Sequence, residues 1–238
     1  MMTARYAIVT DIEGTTSSIA FVKETLFPFA KRRLASYVSQ NLGSPEVREA
    51  LRQTRELAGQ LDLSGAAVVD LLKAWIDEDR KATPLKDLQG LIWADGYATG
   101  ELTGDVYPDA VEGLWRWRAA GLALYVYSSG SIKAQKLLYG HTAFGDLTPL
   151  FSGYFDTGSG PKFDARSYAA IAAAIGFAPG RVLFLSDQTA ELDAARSAGL
   201  GTAALNRGEA VLPEGHGHPE FASFADIDPL GGRLFPLA

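Results

Sequence analysis

The 238-residue chain contains no cysteine, which excludes disulfides, thiolate metal sites and a cysteine nucleophile. It also lacks any run of about 18 apolar residues, the length that a membrane-spanning helix needs. It has 28 acidic and 22 basic residues, and the net charge of −6 with no basic run disfavours binding to nucleic acid or anionic lipid. The first residues enter a strand pattern without the features of a secretory signal. We therefore expect a cytoplasmic protein with a small-molecule partner and neither a nucleic-acid nor a membrane partner.

Short apolar runs and amphipathic helical patterns alternate over much of the chain. Runs typical of buried strands cover residues 5–11, 122–128, 153–157, 181–187 and 201–206. Helical patterns lie between the later runs, at residues 109–121, 131–141, 164–176 and 189–199. Strands that are apolar throughout and alternate with helices favour a parallel sheet covered on both faces. The sequence therefore predicts the α/β class.

One long helical segment separates the first predicted strand from the others. Helical spacing of apolar residues covers residues 20–38, 44–57, 65–82 and 84–100, and Pro45 and Pro84 lie near helix starts, where proline is tolerated. We predict a core formed by residues 1–19 and 103–238, with a helical cap of residues 20–102 inserted after strand 1. Such a cap-and-core design is compatible with a monomer. The Gly- and Pro-rich tail from residue 207 is expected to wrap the core, with residues 221–227 as a possible last element.

Polar residues stand where four of the predicted strands end or where the next helix begins. These short stretches are Asp11-Ile12-Glu13, Tyr127-Ser128-Ser129-Gly130, Gly160-Pro161-Lys162 and Ser186-Asp187, the last with Glu191 four residues further on. Because parallel strands end at the same edge of a sheet, we expect these stretches to lie together although they are far apart in sequence. Ligands of open α/β sheets bind at that edge.

These residue types fit phosphoryl transfer. Asp11 is the candidate nucleophile, since carboxylates form acyl-phosphate intermediates. A carboxylate approaches a phosphoryl group only if cations screen the charge, and Mg²⁺ usually takes one or two carboxylates together with phosphate and water. Asp11 and Asp187 would supply those carboxylates, and the backbone carbonyl of Glu13 a further oxygen. The Glu13 side chain is the candidate general acid and base.

The remaining polar residues are suited to holding the phosphate. Lys162 would add a positive point charge. Ser128 would offer a hydroxyl, and the N–H groups of Ser129 and Gly130 precede a helix, where an anion is favoured. Each of these features has an ordinary structural explanation, such as a helix cap or a surface lysine. Their joint order along the chain favours the functional interpretation.

The motifs resemble those of the haloacid-dehalogenase-like phosphohydrolase superfamily: Asp11-x-Glu13, Ser128, Lys162, and Asp187 with an acid four residues later. Most phosphatases of that superfamily have Asp where this chain has Glu13. The departure, together with the stretches DIEGTT, KATPLKDLQGLIWADGY, VYSSGSIKAQKLLYGH, GYFDTGSGPK and FLSDQTAELDAARSAG, resembles one subfamily, the enolase-phosphatases (acireductone synthases) of methionine salvage. This resemblance covers roughly residues 6–206.

The resemblance implies a Rossmann-like core with a small helical cap and a two-step reaction that requires one Mg²⁺ per subunit. The substrate would be 2,3-diketo-5-methylthiopentyl-1-phosphate, which is enolised and then dephosphorylated to 1,2-dihydroxy-3-keto-5-methylthiopentene. Asp11, Glu13 (through its backbone) and Asp187 would contact the metal. Ser128, Ser129 and Lys162 would bind the substrate. The resemblance does not identify the base for enolisation.

Several alternatives remain at this point. Glu13 and Glu24 are both candidates for the enolisation base, although a helix-surface role suits Glu24 better. Phe21 and Trp93 are the best candidates for contacting the methylthio tail. The His216-Gly217-His218 stretch is expected to be a solvated loop rather than a metal site. Other activities are a generic phosphomonoesterase acting on a sugar or nucleotide phosphate, a dehalogenase, or a binding module without chemistry; retention of Asp11, Lys162 and Asp187 argues against the last.

Overall fold

The computed structural model describes residues 5–209, 211–231 and 234–236, which contain a six-stranded sheet. Its strands are β1 (Ala7–Thr10), β2 (Ala123–Tyr127), β3 (Gly153–Phe155), β4 (Val182–Ser186), β5 (Gly201–Leu205) and β6 (Glu220–Phe221). They lie in the order β3-β2-β1-β4-β5-β6, and every neighbouring pair is parallel. The predicted α/β class with a parallel sheet is confirmed.

The helices alternate with these strands after residue 107. The described helices that alternate with strands are α5 (Pro108–Ala119), α6 (Ile132–Gly140), α7 (Ala165–Ile175) and α8 (Thr189–Ser197). The helices before them are α1 (Phe27–Gln40), α2 (Pro45–Ala58), α3 (Gly65–Asp77) and α4 (Thr83–Ala98). Strands β1, β4 and β5 are buried at every position, as expected for strands with both faces covered. On α5, Trp117 is buried at 2% exposure and Trp115 is 55% exposed, because residues two apart on a helix face different directions.

The chain divides into two compact units, Met1–Ile19 with Gly104–Ala238, and Ala20–Thr103. The first contains the sheet and the second contains α1 to α4. None of the described helices has the length and apolar character needed to cross a bilayer. The first helical segment of the second unit begins with a π-helical turn, Phe21–Leu26, before α1. Pro28 accounts for part of this π-helical geometry, because proline has no N–H to donate to the carbonyl of the residue four positions earlier.

The C-terminal end of α3 differs from the sequence expectation. The segment predicted as helical to residue 82 ends at Asp77, and Asp79 adopts a left-handed φ of 49°. Ser44 and Ser64 accept backbone N–H groups at the starts of α2 and α3, and these caps satisfy donors that a helix start leaves unpaired. Helix boundaries therefore follow local capping and backbone chemistry more closely than apolar spacing.

The tail beyond β5 packs on the first unit through specific contacts. Residues 221–227, expected as a possible last element, are divided between the end of β6 and a short 3₁₀ turn at Phe224–Asp226. The solvated-loop expectation is wrong for His218, whose side chain is fully buried. His218 Nδ1 lies 2.8 Å from Thr202 Oγ1, and its Nε2 lies 3.2 Å from Asp193 Oδ1. This histidine ties the tail to β5 and α8.

Candidate active site

The loop after β1 is a tight turn that fixes the position of Asp11. The amide N–H of Asp11 donates to Leu185 O at 2.9 Å, which extends the pairing of β1 with β4 by one residue. The amides of Thr15, Thr16 and Ser17 all donate to the single carbonyl of Ile12. This arrangement turns the chain sharply away from the sheet and leaves Asp11 buried at 5% exposure.

Gly14 is required in this turn for two reasons. Its φ of +70° lies in the left-handed region, which side chains with a Cβ avoid. A Cβ built on Gly14 would also overlap the carboxylate of Asp187. The backbone of the first motif therefore passes directly against the side chain of the last one. Glu13, immediately before Gly14, is half-buried, and its backbone forms an isolated parallel β-bridge with Ser17.

Lys162 lies between two buried carboxylates. Its Nζ is 2.7 Å from Asp11 Oδ1 and 2.6 Å from Glu191 Oε2, and all three side chains are 7% exposed. Ser186 Oγ donates to Glu191 Oε2 at 2.9 Å, and so holds that carboxylate in place. Desolvation works against the charged Lys162, but the two carboxylates outweigh it and raise the pKa of its ammonium group. The first, third and fourth motifs are thus in direct contact.

Negative charge is in excess at this edge of the sheet. Burial and the nearby Asp11 raise the pKa of Asp187 to about 6, and the same two causes raise the pKa of Glu191 to about 7. Three carboxylates face one ammonium group, that of Lys162. A hard divalent cation fits this donor set, since Mg²⁺ prefers carboxylate and carbonyl oxygens.

The number of protein ligands in the site determines which metal ion it could hold. Across the described ranges, no group of three or more His, Cys, Asp or Glu side chains is arranged to hold a metal ion. Two carboxylates with a backbone carbonyl remain compatible with Mg²⁺, which usually keeps several water ligands and substrate oxygens. The hydroxyls Thr15 Oγ1 and Ser17 Oγ are buried in the same loop without a hydrogen-bond partner among the described residues.

The second motif precedes α6. Ser128 is buried, and its Oγ accepts the N–H of Gly130 at 3.1 Å, whereas Ser129 is exposed. Gln135 Nε2 donates to both Gly130 O and Phe155 O at 2.8 Å. These bonds fasten the loop to β3 and to α6. The backbone there is held independently of any ligand.

Some predicted residues lie in the second unit. Glu24 is exposed on the π-helical turn. Trp93 donates its Nε1–H to Leu26 O at 2.9 Å and stacks on Phe27 with ring centroids 6.4 Å apart. Phe21 is buried at 8% exposure. Contact of Phe21 or Trp93 with a substrate stays a prediction.

Residues that sequence reasoning missed support the loop after β1. Thr16 Oγ1 lies 2.7 Å from the hydroxyl of Tyr139 and donates to Asp11 O at 3.2 Å. Arg207, from the tail, donates its Nε and Nη2 to Thr15 O at 3.2 and 3.0 Å and pairs with Asp109 at 2.7 Å. No local sequence pattern marks these contacts, which join segments about 100 to 190 residues apart.

Comparison with known proteins agrees with this geometry. Residues 7–199 match the model of a hydrolase family described as haloacid dehalogenase-like hydrolase. The chain is 56% identical over 221 residues to Enolase-phosphatase E1 of Pseudomonas aeruginosa (strain UCBPP-PA14), covering 93% of this chain and 97% of that one. The chain belongs to the enolase-phosphatase E1 family. Its Azotobacter vinelandii member is 52% identical over 223 residues, covering 94% of this chain and 97% of that one.

A solved structure extends the likeness to three dimensions. The UTR4 protein of Saccharomyces cerevisiae superposes with a TM-score of 0.80 at 36% identity, covering 94% of this chain and all of that chain. The likeness therefore includes the helical unit as well as the sheet. The family assignment agrees with the subfamily resemblance drawn from the Glu at position 13 and the stretches around it.

Proposed function

We propose that this chain, like the enolase-phosphatases it resembles, enolises 2,3-diketo-5-methylthiopentyl-1-phosphate and then removes its phosphate. The product is 1,2-dihydroxy-3-keto-5-methylthiopentene, an intermediate of methionine salvage. The observation that carries the proposal is the buried cluster in which Lys162 Nζ lies within 2.7 Å of both Asp11 and Glu191. A carboxylate beside a fixed ammonium group, at the ligand-binding edge of a parallel sheet, is suited to attack on phosphorus.

Asp11 is the nucleophile. One of its carboxylate oxygens attacks phosphorus, and the bond between phosphorus and the ester oxygen of the enol breaks. Glu13 protonates the leaving oxygen, then takes a proton from the water that hydrolyses the aspartyl-phosphate and releases inorganic phosphate. Lys162 balances charge on the phosphoryl oxygens. Ser128 and Ser129 bind the phosphate through hydroxyl and backbone N–H groups.

Asp11, Asp187 and the backbone carbonyl of Glu13 would hold one Mg²⁺ per subunit. A bound Mg²⁺ would supply positive charge near the phosphoryl oxygens and Lewis acidity for a substrate carbonyl. The proximity of Gly14 to Asp187 and the excess of carboxylates support this assignment. Loss of activity on chelation, with recovery on adding Mg²⁺ but not Ca²⁺, is the expected result in solution.

The first experiment follows enol absorbance and free phosphate together, with the diketone phosphate and Mg²⁺. Asp11→Asn should lower phosphate release by about a thousandfold or more, since it removes the nucleophile. Asp226→Asn, at an exposed aspartate of the same unit, is the matched control and should leave both signals unchanged. Hydrolysis of simple phosphomonoesters with no turnover of the diketone would instead favour a generic phosphatase.

A second variant separates the two steps. Glu13→Gln should slow phosphate release, because the leaving oxygen loses its acid. If Glu13 is also the base for enolisation, the enol signal falls as well. Unchanged enol formation would exclude Glu13 from that role.

The cytoplasmic location and monomeric state are further parts of this proposal. Light scattering on a sizing column checks the monomeric state.

A further inference from the structure

Three consecutive carbonyls of the loop that carries Lys162 each accept a hydrogen bond from a side-chain hydroxyl. The pairs are Tyr127 Oη to Gly160 O at 3.0 Å, Ser167 Oγ to Pro161 O at 2.8 Å, and Tyr168 Oη to Lys162 O at 2.8 Å. Tyr127 ends β2, whereas Ser167 and Tyr168 lie on the first turns of α7. The loop is therefore bonded to a strand on one side and to a helix on the other.

The donors of these bonds are themselves held firmly. The rings of Tyr127 and Tyr168 meet edge to face with centroids 5.5 Å apart, and Tyr168 packs on Phe184 of β4 at 4.9 Å. All three rings are almost fully buried. Gly160 has a φ of +121°, and a Cβ built there would overlap Ser167 Oγ. The loop and its donors are thus in close contact, with no room for a side chain between them.

Lys162 is buried, whereas its two immediate neighbours in the loop are exposed. Pro161 and Phe163 on either side are exposed, Phe163 at 70%. Lys162 Nζ lies over the ring of Tyr127, 5.7 Å from its centroid, and contacts Asp11 and Glu191. A lysine stem is flexible, so the position of its ammonium group depends on where the backbone starts it.

We propose that Tyr127, Ser167 and Tyr168 are positioning residues that form a hydroxyl clamp. The clamp fixes the backbone of residues 160–162 so that Lys162 Nζ stands between its two carboxylates before phosphate binds. Groups held in place beforehand need no reorganisation when charge develops on the substrate. The proposal rests on the proposed function in one respect: Lys162 is taken to contact the phosphoryl oxygens.

The kinetic test uses variants that remove hydroxyls and keep the rings, Tyr168→Phe and the double variant Tyr127→Phe/Tyr168→Phe. The readouts are KM for the diketone phosphate, followed by phosphate release, and the inhibition constant of inorganic phosphate in the same assay. We expect the inhibition constant to rise about fivefold in Tyr168→Phe and further in the double variant, as for loss of a typical hydrogen bond. Tyr154→Phe is the matched control, because its buried hydroxyl has no partner among the described residues.

These readouts separate positioning from general stability. A variant that only folds less well gives fewer active molecules, which lowers apparent kcat but leaves the inhibition constant of phosphate unchanged. An unchanged inhibition constant in the double variant therefore overturns the proposal. A rise in Tyr154→Phe as large as in Tyr168→Phe overturns it too, since the effect would then belong to any buried tyrosine hydroxyl.

A second measurement does not depend on activity. Amide-hydrogen exchange of residues 160–164 should be at least about fivefold faster in the double variant than in wild type, and unchanged in Tyr154→Phe. Equal exchange in wild type and double variant overturns the clamp. If wild type neither releases phosphate from the diketone phosphate nor binds inorganic phosphate, the proposed function fails, and the exchange result still decides whether the hydroxyls fix the loop.

Discussion

Gly14 has no side chain, and this allows the backbone of the first motif to contact the carboxylate of Asp187 in the last motif. Its backbone passes against Asp187, and its φ is positive. Gly59, at the end of α2, has a nearly equal φ of +67°, and no atom lies within 4 Å of the point that a Cβ would occupy there. The two glycines therefore share the same backbone preference and differ in what surrounds them.

We predict that Gly14→Ala abolishes phosphate release and that Gly59→Ala does not. Both variants place an alanine in the left-handed region, which lowers the unfolding free energy by about 1–2 kcal/mol. Only Gly14→Ala also displaces the Asp187 carboxylate. Urea unfolding and phosphate release measured on both proteins check this. Retained activity in Gly14→Ala would show that the loop and Asp187 can move apart without loss of function.

Arg207 connects the tail to the loop after β1. Its guanidinium contacts Thr15 O and Asp109, and Asp109 also accepts the Ser223 hydroxyl and the Phe224 amide, each at 2.8 Å. Glu209, two residues later, accepts the N–H of Ile19 at 2.7 Å. A tail with little regular structure is thus fixed to the first unit by charged hydrogen bonds.

Replacing Arg207 with Met should lower the unfolding free energy by about 3 kcal/mol, because a partly buried carboxylate loses its partner. It should also reduce kcat, since Thr15 belongs to the turn that carries Asp11. Chemical denaturation and steady-state kinetics measure the two effects. Arg118→Met, at an exposed arginine of α5, serves as the control and should change neither quantity.

At the scale of the elements, β5 and α8 both contact His218, which lies two residues before β6. Burial and the neighbouring Arg196 lower the pKa of this imidazole, against the opposing effect of Asp193. The unfolded chain therefore binds a proton more readily than the folded one. Stability contributed by neutral His218 is present above the ordinary histidine pKa, near 6.5, and is lost as pH falls below that value through the lower pKa of the folded state.

We predict that the thermal unfolding midpoint of wild type falls more steeply between pH 7.5 and about 5.5 than that of His218→Gln. The comparison concerns the slope, because His218→Gln also loses hydrogen bonds at every pH. His141→Gln, at an exposed histidine that ends α6, should retain the wild-type slope. Equal slopes in wild type and His218→Gln would contradict the assignment.

Local patterns predicted much of the architecture, for identifiable reasons. Continuous apolar runs marked strands β1, β2, β4 and β5, since a strand covered on both faces has no polar side. The sheet topology then brought Asp11, Lys162 and Asp187 to one edge. The π-helical turn was not predictable, because the apolar spacing before Pro28 fits an ordinary helix equally well. Strand β6 has two residues, too few for a pattern.

The supporting contacts of the site were also beyond sequence reasoning. Tyr139 and Arg207 reach the loop after β1 from distant segments, and each looks like an ordinary core or surface residue in its own context. The hydroxyls around Lys162 belong to apolar stretches that predict only a strand and a helix. Such contacts depend on tertiary geometry, which residue types and spacing do not encode locally.

At the scale of the whole molecule, all three proposed metal ligands lie in the unit that contains the sheet. A ligand that binds only the folded form stabilises it, by about 2.7 kcal/mol at a concentration 100 times its Kd. We predict that Mg²⁺ slows amide exchange in β1 and β4 and leaves α3 unchanged. Asp187→Asn should abolish the effect. Equal protection of α3 would mean that the metal stabilises both units.

The place of β1 in the sheet has a consequence for synthesis on the ribosome. Strand β1 leaves the ribosome before the other strands, and both of its neighbours come much later: β2 begins at residue 123 and β4 at residue 182. Residues 20–103 form a compact unit that is continuous in sequence, so its internal contacts join only segments made before residue 104. We therefore expect the helical unit to form during translation, while the strand carrying the candidate nucleophile stays unpaired until β2 has been made and lacks its second neighbour until β4 has been made.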